Sequence, residues 1–73
     1  MQREIRQRIG SEIKKLRQRK GLTQAQLSEI SHIKYKYIQT IEGKNPPNIR
    51  IDTLERISKS LGTPSWKILK SAH

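Results

Sequence analysis

Residues 22–43, LTQAQLSEISHIKYKYIQTIEG, constrain the fold more than any other segment because they carry the start and stop signals of two short helices. Thr23 and Gln26 have the spacing of a capping box, in which the Thr23 hydroxyl accepts from the Gln26 amide and the Gln26 side chain reaches back. We therefore expect a helix that begins at Gln24 and ends near Ser31.

A tight turn and a second helix are predicted after Ser31. His32 must adopt a left-handed or otherwise strained backbone there, which His tolerates better than a β-branched residue does. The second helix is predicted to run from about Lys34 or Tyr35 to Glu42. A glycine closes it, and the Asn-Pro-Pro sequence that follows prevents its continuation.

Apolar residues recur at helical spacing in these two segments and elsewhere in the chain. In the two short helices, the positions predicted to face inward are Leu27 and Ile30, then Ile38 and Ile41. A first helix ending near Lys20 carries the apolar stripe Ile5, Ile9, Ile13 and Leu16. A fourth helix, ended by Gly62, carries the stripe Ile51, Leu54, Ile57 and Leu61. With a short last helix, the sequence predicts an all-α fold of five helices.

The chain is strongly basic. Its 73 residues include 16 Lys and Arg against 6 Asp and Glu, which gives a formal net charge of +10. Such a charge favours a nucleic-acid partner, because neutralising phosphates adds affinity. The alternative is a basic protein without that role, or one that binds anionic membranes. The length suits a single domain, residues 1–73, with one modest core.

Several classes of protein do not fit this sequence. No segment is long enough to span a bilayer, the basic N-terminus lacks the apolar run of a signal peptide, and there are no cysteines, so we expect a cytoplasmic protein. For an enzyme, His32 and His73 are far apart, and the carboxylates show no metal-ligand spacing. We therefore expect no catalytic residues, no cofactor, no metal and no small-molecule ligand.

Two short helices joined by a tight turn, here about residues 23–42, have the layout of a helix-turn-helix, whose second helix enters the DNA major groove. The anchors at matching spacing are GLTQ at residues 21–24, then Leu27, Ile33, Tyr37-Ile38 and Ile41-Glu42-Gly43. This pattern resembles the phage-repressor-like (XRE) helix-turn-helix family from about Ile9 to Leu69. The resemblance implies a five-helix lambda-repressor-like DNA-binding domain. It is similar to small stand-alone regulators such as restriction–modification controller proteins.

The outward face of the second motif helix provides the candidates for reading bases. Lys can donate to guanine edges, Gln can pair with adenine, and Thr can bond a base or touch a thymine methyl group. The resemblance implies base contacts from the positions Tyr35, Lys36, Gln39 and Thr40. For Gln39 and Thr40, a plain solvent-facing role is the alternative.

Phosphate contacts are expected at both ends of the recognition helix. Gln24 stands at the N-terminus of the first motif helix, which favours anions, and in the family this Gln also braces the recognition helix. Lys34, Lys44 and Asn45 bracket the recognition helix. Tyr37 either packs against the first helix or gives its hydroxyl to a phosphate, and we favour the phosphate or rim position. Such contacts set the register but read little sequence.

Two positions depart from the family pattern, and two others match a structural pair. His32 and Lys34 stand where the family commonly has Gly and a capping Ser or Thr. Lys34 cannot cap through an oxygen, so the recognition helix should start weakly or take another cap. In the family, the residue matching Glu42 pairs with an Arg four residues before the Gly of GLTQ, which is Arg17 here. The resemblance therefore implies a structural ion pair.

The last helix, about residues 64–70, is the candidate for self-association. Thr63 should cap it and Pro64 should occupy its first position. Trp66, Ile68 and Leu69 exceed what a minimal core needs, so we expect them to form a homodimer interface. The chain also leaves little room for an effector domain after Leu69.

A dimer would place two recognition helices in successive major grooves of an inverted-repeat operator. The sequence thus predicts a homodimeric regulator of transcription that binds double-stranded DNA. One alternative is the antitoxin, or another protein-binding module, of a toxin–antitoxin pair that also regulates its own gene. RNA binding or non-specific DNA binding is a further alternative.

Overall fold

The computed structural model describes residues 2–72, with side chains from residue 4 to residue 72, so His73 lies outside the described residues. That part of the chain forms α1 (Gln2–Arg19), α2 (Gln24–Ser31), α3 (Tyr35–Ile41), α4 (Ile51–Ser60) and α5 (Ser65–Ser71). The prediction of an all-α, five-helix fold is confirmed. Over the described residues, none of the helices combines the length and the apolar composition that crossing a membrane requires.

The helices enclose one hydrophobic core in the part of the chain that the structure describes. α5 packs on α1 and α4, and α2 packs on α3 and α4. The core consists of Ile9, Ile13, Leu27, Ile33, Ile38, Ile41, Leu54, Ile57, Leu61, Ile68 and Ala72. Because α3 packs mainly through one side, its opposite side is left open to solvent.

Three residues do not lie where the sequence analysis places them. Ile30 is exposed, because in the short helix α2 it is Leu27 and Ser31 that are buried. Ile51 is 84% exposed, since it is the first residue of α4 and lies beyond the surface that the other helices cover. Ile68, expected in a dimer interface, is fully buried in the core instead. Helical spacing identifies a stripe, but it does not show how far the neighbouring helices extend over it.

The start of α5 also differs from the prediction by one residue. Pro64, not Thr63, is the N-cap, and the helix begins at Ser65 without a side-chain cap. The reason is that Thr63 belongs to the end of α4: its amide donates to the carbonyl of Ser58 at 3.0 Å. Gly62, with φ 68°, makes that closing turn possible because glycine adopts a left-handed backbone without strain.

Candidate nucleic-acid interface

The turn between α2 and α3 is built from local hydrogen bonds. At the start of α2 the capping box is present, with the Gln26 amide donating to Thr23 Oγ1 at 3.0 Å and the Thr23 amide donating to Gln26 Oε1 at 2.8 Å. At its end, His32 has φ 59°, which confirms the expected left-handed conformation. The Ile33 amide then donates to the Ser28 carbonyl at 3.2 Å, which closes the helix as a Schellman-type turn does.

The recognition helix α3 has one buried and one open face. Ile38 and Ile41 are fully buried and attach it to the core. The opposite face presents four exposed residues, namely Tyr35, Lys36, Gln39 and Thr40. The Thr40 hydroxyl donates to the Lys36 carbonyl at 2.9 Å, so it keeps its lone pairs and its methyl group for a ligand. These are the positions predicted to read bases, and the structure brings all four together on one surface.

The first turn of α3 is not capped by a side chain. Lys34 is the N-cap residue, with φ −57° and ψ 137°, and its side chain makes no capping hydrogen bond. Its carbonyl accepts from the amides of Tyr37 and Ile38 at 2.9 and 3.1 Å. The other free amides of the first turn remain available to water or to an anion. The Lys34 side chain thus provides no cap, as expected from its lack of an oxygen acceptor.

The C-terminal end of α3 is held by a buried polar junction, which we define as Arg17, Leu22, Gln24 and Glu42. Arg17 donates from Nε to Glu42 Oε2 at 2.8 Å and from Nη2 to Glu42 Oε1 at 2.9 Å. Its Nη1 donates to the Leu22 carbonyl at 2.7 Å, and Gln24 Nε2 donates to Glu42 Oε1 at 3.0 Å. The two charged side chains are only 10% and 2% exposed. The ion pair that the resemblance implies is therefore formed.

The junction joins three helices and neutralises the acid at the end of α3. The hydrogen bond from Arg17 to Glu42 raises the pKa of the guanidinium above its ordinary value, although burial opposes this shift. Glu42 is the only acidic residue between residues 34 and 50. Because Arg17 pairs with it and its side chain is almost fully buried, the Glu42 carboxylate is not exposed to repel a phosphate.

Gly10 is a positioning residue that the sequence analysis missed. It is buried in α1, and a Cβ built on it would lie 2.1 Å from the carbonyl oxygen of Ile41. Only glycine lets the backbones of α1 and α3 approach so closely. Nearby, Gln7 Nε2 donates to the Lys44 carbonyl at 2.8 Å. The signal in the sequence was an isolated glycine inside the apolar stripe of a helix, which often marks close packing.

The residues predicted to contact phosphates lie around α3, and they differ in how exposed they are and in whether their polar groups are already hydrogen-bonded. Lys34, Lys44 and Asn45 are exposed at its two ends. Gln24 is half-buried, and its amide nitrogen is used by Glu42, so the brace expected from the resemblance is present. Only the other polar groups of Gln24 are left for a contact with the DNA backbone.

Tyr37 lies at the rim of the motif, towards α4. It is half-buried against the core, and its hydroxyl donates to the Asn48 carbonyl at 3.5 Å, a long hydrogen bond. It shares a shallow cleft with His32 and Lys34 and with Thr53 and Arg56 of α4. Sequence reasoning did not connect Thr53 or Arg56 with the motif, because only the fold brings α4 beside the start of α3.

The predicted dimer residues divide between the surface and the core. Trp66 is 57% exposed, and Leu69 is 41% exposed. Ile68 cannot contribute to an interface, since it is buried between α5 and the rest of the core. The middle of α5 must face inward to close the core, whereas the residues on its two flanks stay open.

Two short helices joined by a tight turn, the second with a polar and cationic outer face, define a helix-turn-helix DNA-binding protein. The helix-turn-helix family HTH_3 matches residues 13–65, and the chain belongs to this family. It is a DNA-binding helix-turn-helix protein of the XRE type.

Solved structures show the same fold. A crystal structure of the clp gene regulator ClgR from Corynebacterium glutamicum aligns with a TM-score of 0.86 at 24% identity, over 93% of this chain and 86% of that chain. A second ClgR structure aligns with a TM-score of 0.85 at 24% identity, over 93% of this chain and 71% of that one. No curated protein matches the chain. At this level of identity, the likeness concerns the fold.

Proposed function

We propose that the chain regulates transcription as a homodimer that binds an inverted-repeat operator in double-stranded DNA. One observation supports this most directly: α3 is fixed at its C-terminal end by the buried polar junction while its outer face is exposed. A helix held in this way can enter a major groove without losing its orientation. The clp gene regulator ClgR, which has the same fold, is by its name also a regulator of genes.

The four exposed residues of α3 would read the operator. Tyr35 and Lys36 stand at the end of α3 that points into the groove, where base contacts are usual in this motif. Lys36 would donate to guanine, and Gln39 would pair with adenine. Thr40, one turn after Lys36, would bond a base edge or touch a thymine methyl group.

The residues around α3 would hold the DNA backbone. Lys34 and Lys44 supply cations at the two ends of the helix, and Asn45 supplies an amide donor. Gln24 would contact a phosphate from the start of α2, where free amides favour an anion. Tyr37 would offer its hydroxyl from the rim. These groups would determine register and affinity rather than sequence preference.

Dimerisation would place the two recognition helices about 34 Å apart, one turn of DNA. The exposed side chains Trp66 and Leu69 of α5 are the candidates for this contact. A single domain of this size reads only a few base pairs, so pairing would lengthen the site and make recognition specific.

Selection of bound duplexes from a random DNA pool, at near-physiological salt, tests the proposal. We expect an enriched inverted repeat with half-sites about one helical turn, roughly 10 base pairs, apart. Enrichment of a single half-site would contradict the dimer. Retention without any enriched sequence would contradict specific reading and favour RNA or non-specific DNA binding. No retention at all would favour the protein-binding alternative, an antitoxin-like module.

A further inference from the structure

Ile51 protrudes beside an apolar cleft on the surface of the molecule. The side chain is 84% exposed at the start of α4, the largest exposure among the bulky apolar residues described. It forms part of the wall of a cleft of about 260 Å³, whose other lining residues are Ile5, Arg6, Ile9, Asn48, Ile49, Leu54, Ser65 and Leu69. Small-molecule sites usually measure roughly 300–1,000 Å³ and carry converging polar groups, so this cleft suits a side chain better than a ligand.

The charges around this cleft are balanced, unlike those of the chain as a whole, because two cations, Arg6 and Arg50, lie near two acids, Asp52 and Glu55. Arg50 lies 3.3 Å from Asp52 on one side of Ile51. Ser65, which lines the cleft, donates to Glu55 Oε1 at 3.0 Å. The chain has 16 basic and only 6 acidic residues, and two of those six acids lie here. A second, equally basic copy of the chain can therefore approach this face with little repulsion.

The other exposed flank of α5, around Trp66, carries an excess of positive charge. Trp66 shares a groove with three cations, Arg19, Lys67 and Lys70, and with one acid, Glu12, and Lys67 Nζ lies 5.9 Å from the centre of the indole ring. A two-fold axis brings a patch against the same patch of the other copy. Contact through the Trp66 flank would thus oppose like charges, which is unfavourable in an interface.

We propose that two copies of the chain associate through the Leu69 flank of α5, each inserting Ile51 into the cleft of the other. The inference rests on the proposed homodimer and specifies its interface. A protruding side chain and a matching cleft on the same surface form a self-complementary patch, as a two-fold interface requires. Trp66 then lies at or outside the edge of this contact.

Sedimentation equilibrium of two matched variants tests the interface. Ile51→Ser removes two apolar insertions from each dimer, so we expect its dimer dissociation constant to rise roughly a hundredfold or more. Trp66→Ser should change the constant by less than about tenfold. Both side chains are exposed, so neither change should disturb the monomer, which thermal unfolding at low concentration checks.

The outcomes separate this inference from the proposed function. A dimer weakened by Trp66→Ser but not by Ile51→Ser would overturn the interface and leave the homodimer intact. A chain that stays monomeric in solution and on its selected DNA would overturn both. Wild-type dimers that select an inverted repeat, together with monomeric Ile51→Ser, are the expected result.

Discussion

Arg17 donates two hydrogen bonds, of 2.8 and 2.9 Å, to the carboxylate of Glu42, and this contact joins α1 to the end of α3. Both side chains are almost entirely shielded from water. A buried pair of this kind is strongly destabilising to break, because the remaining charge loses its partner but not its burial. The same contact orients the recognition helix, so stability and DNA binding depend on it together.

Arg17→Met should lower the free energy of unfolding by about 3–5 kcal/mol, since it leaves Glu42 buried without its cation. The double variant Arg17→Met with Glu42→Leu should recover much of this loss, because no unpaired charge remains. Urea unfolding of both single variants and the double variant measures the coupling. Additive losses in the double variant would show that the two side chains do not act as a pair.

Gly10→Ala should destabilise the chain although Ala favours helices. The new methyl group would lie 2.1 Å from the Ile41 carbonyl oxygen, and backbone cannot move aside as a flexible side chain can. We expect a loss of about 1–3 kcal/mol, which lowers the melting temperature by roughly 4–8 °C per kcal/mol in a domain of this size. Ser11→Ala, at the exposed neighbour, is the control and should be neutral or slightly stabilising. A more stable Gly10→Ala would contradict the close approach.

His32→Gly should stabilise the chain. His32 has φ 59°, a conformation that disfavours residues with a Cβ by roughly 1–2 kcal/mol, and glycine removes this strain. Glycine also increases the conformational entropy of the unfolded chain, which offsets part of this effect. The free energy of unfolding should therefore rise by only about 0.5–1 kcal/mol. Glu29→Gly, inside α2, should lose about 1 kcal/mol instead. Chemical denaturation of both variants should give changes of opposite sign.

Lys34→Ser should separate stability from DNA binding. Serine in the non-helical N-cap conformation of residue 34, φ −57° and ψ 137°, can accept from a free amide of α3, which adds about 0.5–1 kcal/mol of stability. The substitution also removes a cation from the end of the recognition helix, so affinity for DNA should fall. Thermal unfolding and a DNA titration on the same preparation measure both effects. An unchanged affinity would remove Lys34 from the proposed phosphate contacts.

Lys36→Ala and Lys44→Ala should weaken DNA binding in different ways. Lys36 is proposed to contact a base, so its loss should relax preference at one operator position by about 1–3 kcal/mol. Lys44 is proposed to contact a phosphate, so its loss should weaken all sequences alike and reduce the salt slope by about 1. Titrations of operator and random DNA at several salt concentrations distinguish the two. Equal losses on both DNAs for Lys36→Ala would remove it from the reading residues.

Much of the motif could be predicted because its signals are local. The capping box of Thr23, the left-handed His32 and the uncapped Lys34 each depend on a few neighbouring residues, and all three are present. The pairing of Arg17 with Glu42 came from the family resemblance, since nothing local connects two residues 25 positions apart. Local signals also gave the start of α2 and the ends of α3 and α4, whereas they placed the start of α5 one residue too early.

What the sequence could not show depends on three-dimensional packing. The extent to which neighbouring helices cover Ile30 and Ile51 is a property of the assembled fold, and so is the burial of Ile68. The role of Gly10 arises from a close approach between two helices that are distant in sequence. Arg56 comes beside the start of α3 only after α4 has packed.

The residues that anchor α3 and those proposed to read DNA are different side chains on the same two turns. Ile38, Ile41 and Glu42 hold the helix, whereas Tyr35, Lys36 and Gln39 are exposed. Exposed helix positions tolerate substitution at little energetic cost. A duplicated gene can therefore diverge at the reading positions and acquire a new operator while both products still fold, so one scaffold can give rise to regulators that do not interfere with each other.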